Sequence, residues 1–226
     1  MPFVSRFIIL MVFTIVVGLS HNVLADHRPL LPESEKGDDG MHKQPWFHES
    51  FLNLADDLSE AAESGKRLLI MWEQKGCPYC EKTHKVNLRN GDIVDYLNKH
   101  FVVVQLNLWG DREVTDLDGK TMTEKEIAIR WGVRYTPTLT FLPETPKDAD
   151  GKSGKDTAVH TLFGYFYPFH FMTTLQYVVE RGYETEPNFQ RFLIAKGRAV
   201  QEKGGEVDFF NHHLPVIPKD GKPTKH

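Results

Sequence analysis

Cys77-Pro78-Tyr79-Cys80 is the segment whose residue types and spacing can do covalent chemistry. These are the two cysteines of the chain, three positions apart. Residues three apart on a helix share a face, so the sulfurs can meet. A helix N-terminus offers unpaired N–H groups and positive potential, which favour a thiolate over a thiol. The thiolate is the attacking species in disulfide exchange. Cys77, at the open end of the turn, is the expected nucleophile. Cys80, one turn inside, is the expected resolver. A purely structural disulfide explains the pair poorly, because so short a loop removes little entropy from the unfolded chain. A structural zinc site needs four ligands, often a second C-x-x-C or a His pair, and no further Cys exists. Two thiolates also suit Cu(I), but no Met-rich segment lies nearby. The site is assigned no metal and no cofactor beyond a redox-active Cys77–Cys80 disulfide.

Neighbouring residues add candidates. Glu73, four residues before Cys77, is either a proton-transfer group or a solvated strand end. His84, four residues after Cys80 on the same helix face, either raises thiolate character or is a partly buried histidine. Pro78 and Tyr79 shape the surface that a substrate meets. His212-His213 reads as solvated tail.

The elements that must position these residues are legible from periodicity and punctuation. Leu68-Leu69-Ile70-Met71-Trp72 is a short apolar run bounded by charges, a strand buried on both faces. A helix opens at 77–78, where Pro is tolerated because it has no N–H to leave unpaired, and runs to about residue 88. Before the strand, Phe47, Phe51, Leu54, Leu58 and Ala61 recur at spacings of three and four, predicting a helix over 46–64. Asp92 caps a helix through Lys99, and Phe101 to Leu106 makes a second strand. Thr123 and Glu126 form a capping box for a helix through Trp131. Strands follow over 138–142 and 158–163, then helices over 168–181 and 188–203. The stretches 109–121 and 145–156 read as polar loops. Alternating βα units followed by a hairpin predict an α/β fold with a central mixed sheet and helices on both faces.

The ends read differently from the middle. Arg6, the apolar run 7–19 and Val23-Leu24-Ala25 have the layout of a cleaved secretory signal peptide over residues 1–25. The apolar run is short of the about 20 residues a membrane span needs. Residues 26–45 are rich in Pro, Gly and charges and read as a flexible lead-in. The domain proper is expected over 46–183, with a C-terminal helix and loose tail over 184–226. The formal net charge of −4 and the lack of a dense Lys/Arg run give no electrostatic reason to bind nucleic acid.

An apolar strand, C-P-Y-C, a helix and, much later, Thr136-Pro137 before a strand resemble the thioredoxin superfamily. Over about residues 45–182, Glu73 to Cys80, Phe101 to Asn107 and Trp131 to Thr138 further resemble periplasmic SoxW-type thioredoxins of bacterial sulfur-oxidation systems. The resemblance implies a thioredoxin-like fold with an added N-terminal helix and a C-terminal helix plus tail. It implies a cis Thr136–Pro137 bond facing the cysteines, with Thr136 and Pro137 binding substrate. It implies an exported thiol–disulfide oxidoreductase of the periplasm that reduces cysteine-containing partner proteins, among them a sulfur carrier. Its electrons would come from a membrane thiol-transfer protein. The alternatives are a disulfide oxidase or isomerase, or a Cu(I) metallochaperone. The chain departs from ordinary thioredoxins in three places. Gly76 replaces the usual Trp, Pro-Tyr replaces Gly-Pro, and Met71 stands where a buried Asp is usual.

Overall fold

The computed structural model describes residues 28–218. The expected signal peptide and residues 219–226 lie outside that range. Along the chain, β1 (Glu35–Lys36) and β2 (His42–Lys43) form a small antiparallel hairpin. Helix α1 (Leu54–Glu63) leads into β3 (Arg67–Glu73), and α2 (Pro78–Val86) follows it. Helix α3 (Gly91–His100) precedes β4 (Phe101–Asn107). A second hairpin, β5 (Glu113–Thr115) and β6 (Thr121–Thr123), leads to α4 (Glu124–Trp131). Then come β7 (Thr138–Phe141), the one-turn helices α5 (Pro146–Ala149) and α6 (Gly154–Thr157), and β8 (His160–Phe163). Helices α7 (Pro168–Val179), α8 (Gly182–Thr185) and α9 (Phe189–Glu202) complete the order.

The central sheet has the strand order β4-β3-β7-β8. β3 pairs parallel with β4 and antiparallel with β7, which pairs antiparallel with β8. Every residue of β3 is buried, which is why it reads as one apolar run rather than an alternation. Its side chains still alternate between faces. Leu68, Ile70 and Trp72 enter a core with Leu58 of α1 and Trp131 of α4. Leu69 and Met71 enter the opposite core with Leu97 of α3 and Leu175 of α7. Glu73 lies two residues beyond Met71, so the pleat directs its carboxylate to that second face.

The first helix begins later than the aromatic spacing predicts. It starts at Leu54, not Trp46. Leu52 takes a left-handed backbone, φ 62°, and Ser50 Oγ accepts from the Leu52 N–H at 2.6 Å. Asn53 Oδ1 then caps the helix by accepting from the Ala55 N–H. Short polar side chains here capture backbone groups that a helix would need. Phe51 consequently points into solvent, while Phe47 packs edge-on against His84. The segment runs along the open edge of β4, where the His48 N–H donates to the Val103 carbonyl at 2.8 Å.

Both polar loops carry structure. Residues 109–121 contribute β5 and the turn into β6, and 145–156 contribute α5 and most of α6. Asp116, fully buried, ties them together. It accepts from Trp131 Nε1, Ser153 Oγ and the Gly154 N–H. The segment read as a loose lead-in packs on the domain from residue 28 onward, with Met41 and Gln44 buried. The described part of the tail folds back as well, with Phe209 against Phe169 and His212 stacked on Tyr167.

Candidate redox site

β3 ends at the buried Glu73, and Gly76, at φ 74°, makes the turn into α2. Cys77 is the N-cap of that helix and Pro78 its first residue. A cap residue normally accepts a hydrogen bond from a free N–H of the first turn through a side-chain oxygen. Here a sulfur does so. The Cys80 N–H donates to Cys77 Sγ at 3.1 Å. Both cysteines are free thiols and both are buried, while Tyr79 between them is exposed.

The loop before β7 comes to the same sulfur. The Thr136–Pro137 bond is cis. Thr136 Oγ1 donates to Cys77 Sγ at 3.2 Å, and the Cys77 thiol donates to the Thr136 carbonyl at 3.3 Å. The loop is held by Thr138 Oγ1, which donates to the Tyr135 carbonyl, and by the Gly164 N–H, which donates to the Pro137 carbonyl at 2.7 Å. A groove of about 810 Å³ passes over this junction. Cys77 and Thr136 form its floor, and the exposed rings of Tyr79, Trp109, Tyr135 and Phe163 form its rim. A larger cavity, about 910 Å³, lies beside β4 under residues 43–50 and reaches neither cysteine.

Cys80 has a different environment. Burial pushes its thiol well up, and the negative charge of Glu73 adds to that. Glu73 is 1% exposed and His84 is fully buried. That removes the solvated-strand-end reading of Glu73. His84 Nε2 lies 3.1 and 3.0 Å from the two Glu73 oxygens. Gln105 Nε2 also donates to Glu73. On the other side of the imidazole, Nδ1 lies 3.1 Å from Gln44 Nε2, and the His42 ring stacks over His84 with centroids 5.1 Å apart.

The structure thus gathers Glu73, Cys77, Cys80, His84 and Thr136, with Pro78 and Tyr79 on the groove. His42, Gln44 and Gln105 belong to the same cluster and carry no local sequence signal. They are polar residues whose meaning depends on which strand and hairpin lie beside α2. Among the described residues, no group of three or more His, Cys, Asp or Glu is placed to hold a metal ion.

Residues 54–178, more than half of the chain, match the Thioredoxin-like domain family. The chain belongs to that family. Among solved structures, the chain is similar to a thioredoxin-fold protein from Helicobacter pylori, at 19% identity over 64% of this chain and 99% of that one, with a TM-score of 0.45. A thioredoxin from Thermus thermophilus is 24% identical over 57% of this chain and 84% of that one, with a TM-score of 0.43. No curated protein matches the chain.

Proposed function

We propose that this protein is an exported thiol–disulfide oxidoreductase that reduces disulfides in cysteine-containing partner proteins of the periplasm. The observation that carries the reading is the asymmetry of the two sulfurs. Cys77 Sγ sits at a helix N-terminus, on the floor of an open groove, with the Cys80 N–H and the Thr136 hydroxyl donating to it. A sulfur already solvated by two protein donors is prepared to carry charge without water. Cys80 sits behind it, its thiol pushed up by burial.

The chemistry follows in two exchanges. The Cys77 thiolate attacks one sulfur of the partner disulfide, and the other partner sulfur leaves as a thiolate and takes a proton. Cys80 then loses its proton and attacks Cys77 Sγ. The Cys77–Cys80 disulfide forms and the second partner sulfur leaves. The partner has gained two electrons and two protons. The oxidised pair is returned to dithiol by two electrons from a membrane thiol-transfer protein. Thr136, Pro137, Pro78 and Tyr79 line the path of the partner segment, and the aromatic rim favours apolar residues flanking its cysteine. The SoxW-type sequence resemblance supports a sulfur-carrier protein as partner and the reducing direction. The layout of residues 1–25 supports export.

The test is trapping. Cys80→Ser should accumulate mixed disulfides with native partners, and Cys77→Ser should give few or none. Equal trapping by both variants would reject the assignment of nucleophile and resolver. Mass spectrometry of protein from its native host, finding a start near Ala25, checks export. A start at Met1 or Pro2 would overturn it.

A further inference from the structure

We propose that the groove over Cys77 takes a protein segment whose disulfide-bonded cysteine is flanked on both sides by carboxylate side chains, met by Lys125 at one end of the groove, Lys82 at the other and Arg134 on the central loop. The proposal rests on the oxidoreductase reading above and names the partner chemistry of the same site.

The sheet order sets the layout of the groove. β3 runs parallel to β4 and antiparallel to β7, and β7 runs antiparallel to β8. The ends of β3, β4 and β8 and the start of β7 therefore share one edge of the sheet. In the order β4-β3-β7-β8, Trp109, which follows β4, lies at one end of the groove, and Tyr165, which follows β8, lies at the other. Cys77, beyond β3, and Thr136, before β7, lie between them. At about 4.8 Å per strand, the outer strands are about 14 Å apart. An extended segment rises about 3.3 Å per residue. With its cysteine over Cys77, roughly its second to fourth residues on either side reach the two ends.

Each end carries a lysine held against aromatic rings. Lys82 Nζ lies 4.6 Å from the ring centroids of both Tyr165 and Tyr167. It also donates to the Tyr167 hydroxyl at 3.4 Å. Lys125 Nζ lies 5.7 Å from the Trp109 ring centroid. That ring is fixed in turn by its Nε1–H, which donates to Gln74 Oε1 at 2.7 Å. Ring faces attract an ammonium, so these long side chains stay beside the groove. Arg134 lines the groove itself, exposed, two residues before Thr136.

The charge of these three groups is uncompensated. Other cations on the same helices have partners: Lys85 of α2 pairs with Glu81, and Arg130 of α4 pairs with Asp116 and Asp118. Among the described residues, Lys82, Lys125 and Arg134 have no carboxylate at ion-pair distance. No carboxylate lines the groove, although the chain has 31 acids against 27 Lys and Arg. Glu73 and Glu81 line a separate small cavity. A cleft lined by one sign of charge gathers the opposite sign and speeds encounter. The rings meet the residues beside the cysteine, and the cations meet those beyond. The fitting segment thus has apolar residues next to its cysteine and Asp or Glu farther out on both sides.

The experiment uses three peptides that differ only in carrying Glu, Gln or Lys at the outer positions on each side of a single cysteine. That cysteine is capped as a neutral pyridyl disulfide. Attack by Cys77 on the peptide sulfur of each releases pyridine-2-thione, whose absorbance gives the second-order rate constant. With reduced wild-type protein the Glu peptide should react about tenfold faster than the Gln peptide, and the Lys peptide more slowly than both. Raising the salt from about 0.01 M to about 1 M shortens the screening length from about 30 Å to about 3 Å and should bring the Glu-to-Gln ratio to about two or less. In the triple variant Lys82→Gln, Lys125→Gln, Arg134→Gln, the low-salt ratio should also fall to about two or less. The ratio cancels any change in the reactivity of Cys77, because all three peptides meet the same thiol. A wild-type ratio of one or below, a ratio that salt leaves unchanged, or a ratio that the triple variant retains overturns the proposal. The salt series needs only wild-type protein, so it decides the matter if the variant does not fold. Wild-type protein that releases no thione from any of the peptides would instead remove the oxidoreductase reading itself.

Discussion

Thr136 offers the Cys77 sulfur a donor and an acceptor from one residue, through its hydroxyl and its carbonyl. The hydroxyl matters more for reactivity, because a hydrogen bond to a charged acceptor is worth about 1.5–3 kcal/mol. Thr136→Val keeps shape and carbonyl and deletes that donor. In a Cys80→Ser background, alkylation of Cys77 by iodoacetamide at pH 7 should slow by roughly tenfold, the lower end of that range. An unchanged rate would mean that the hydroxyl does not serve the sulfur. At this scale the sequence was informative where chemistry is local. Cys77, Pro78 and Cys80 announce themselves by spacing, and Thr136-Pro137 by resemblance. Glu73 and His84 were visible as candidates because each stands four residues from a cysteine. Their burial was not visible, since β3 has to be placed beside α2 before either is enclosed. His42, Gln44 and Gln105 could not be found at all from local pattern. They reach the site through the β1–β2 hairpin and through β4, and no periodicity encodes those contacts.

The elements show the same division between local and long-range signals. β3 was legible because a strand covered on both faces needs an unbroken apolar run. α4 was legible because its capping box is written into Thr123 and Glu126. The helix before β3 was misplaced at its start because two signals competed over 46–53. The aromatic spacing favoured helix, while Ser50, Leu52 and Asn53 formed a turn that ends it before it begins. The turn prevails because His48 and Leu52 are already committed elsewhere. His48 donates to β4, and the Leu52 carbonyl accepts from the Thr115 N–H at 2.8 Å. Asn53 is therefore the true start signal. Asn53→Ala should destabilise the protein by about 1 kcal/mol, the usual cost of a lost N-cap. The change should appear in the urea midpoint with an unaltered slope. An effect of a few tenths or less would indicate that tertiary contacts, not the cap, define the boundary. The polar loops failed for a different reason. Their order comes from Asp116, whose partners lie on α4 and α6, far along the chain.

At the level of the whole molecule, the C-terminal helix is joined to the sheet through an aromatic cluster that contains two histidines. Phe189 of α9 lies between His160 of β8 and His170 of α7, at ring separations of 5.3 and 5.1 Å. His160 also meets Tyr177 and Phe141, and among the described residues its Nε2 has no hydrogen-bond partner. Burial pushes His160 down to about 4, and burial together with the charge of its neighbour pushes His170 down to about 4. An unfolded histidine titrates near 6.5. Between those values the unfolded chain binds protons that the folded chain refuses, so stability rises with pH across the interval. It is fully present above about pH 6.5 and is lost progressively as the pH falls toward 4. Allowing for partial exposure, His160 accounts for on the order of 2 kcal/mol of that loss. His160→Leu fills the same apolar surroundings without a proton site. Urea midpoints for wild type and variant at pH 7.5 and pH 4.5 give two stability gaps. The variant's gap should be smaller by about 2 kcal/mol. The subtraction cancels other groups, including Asp57, which burial raises and which titrates with the opposite sign. Identical gaps would show that His160 is protonated at no cost, and that the docking of α9 is indifferent to acid.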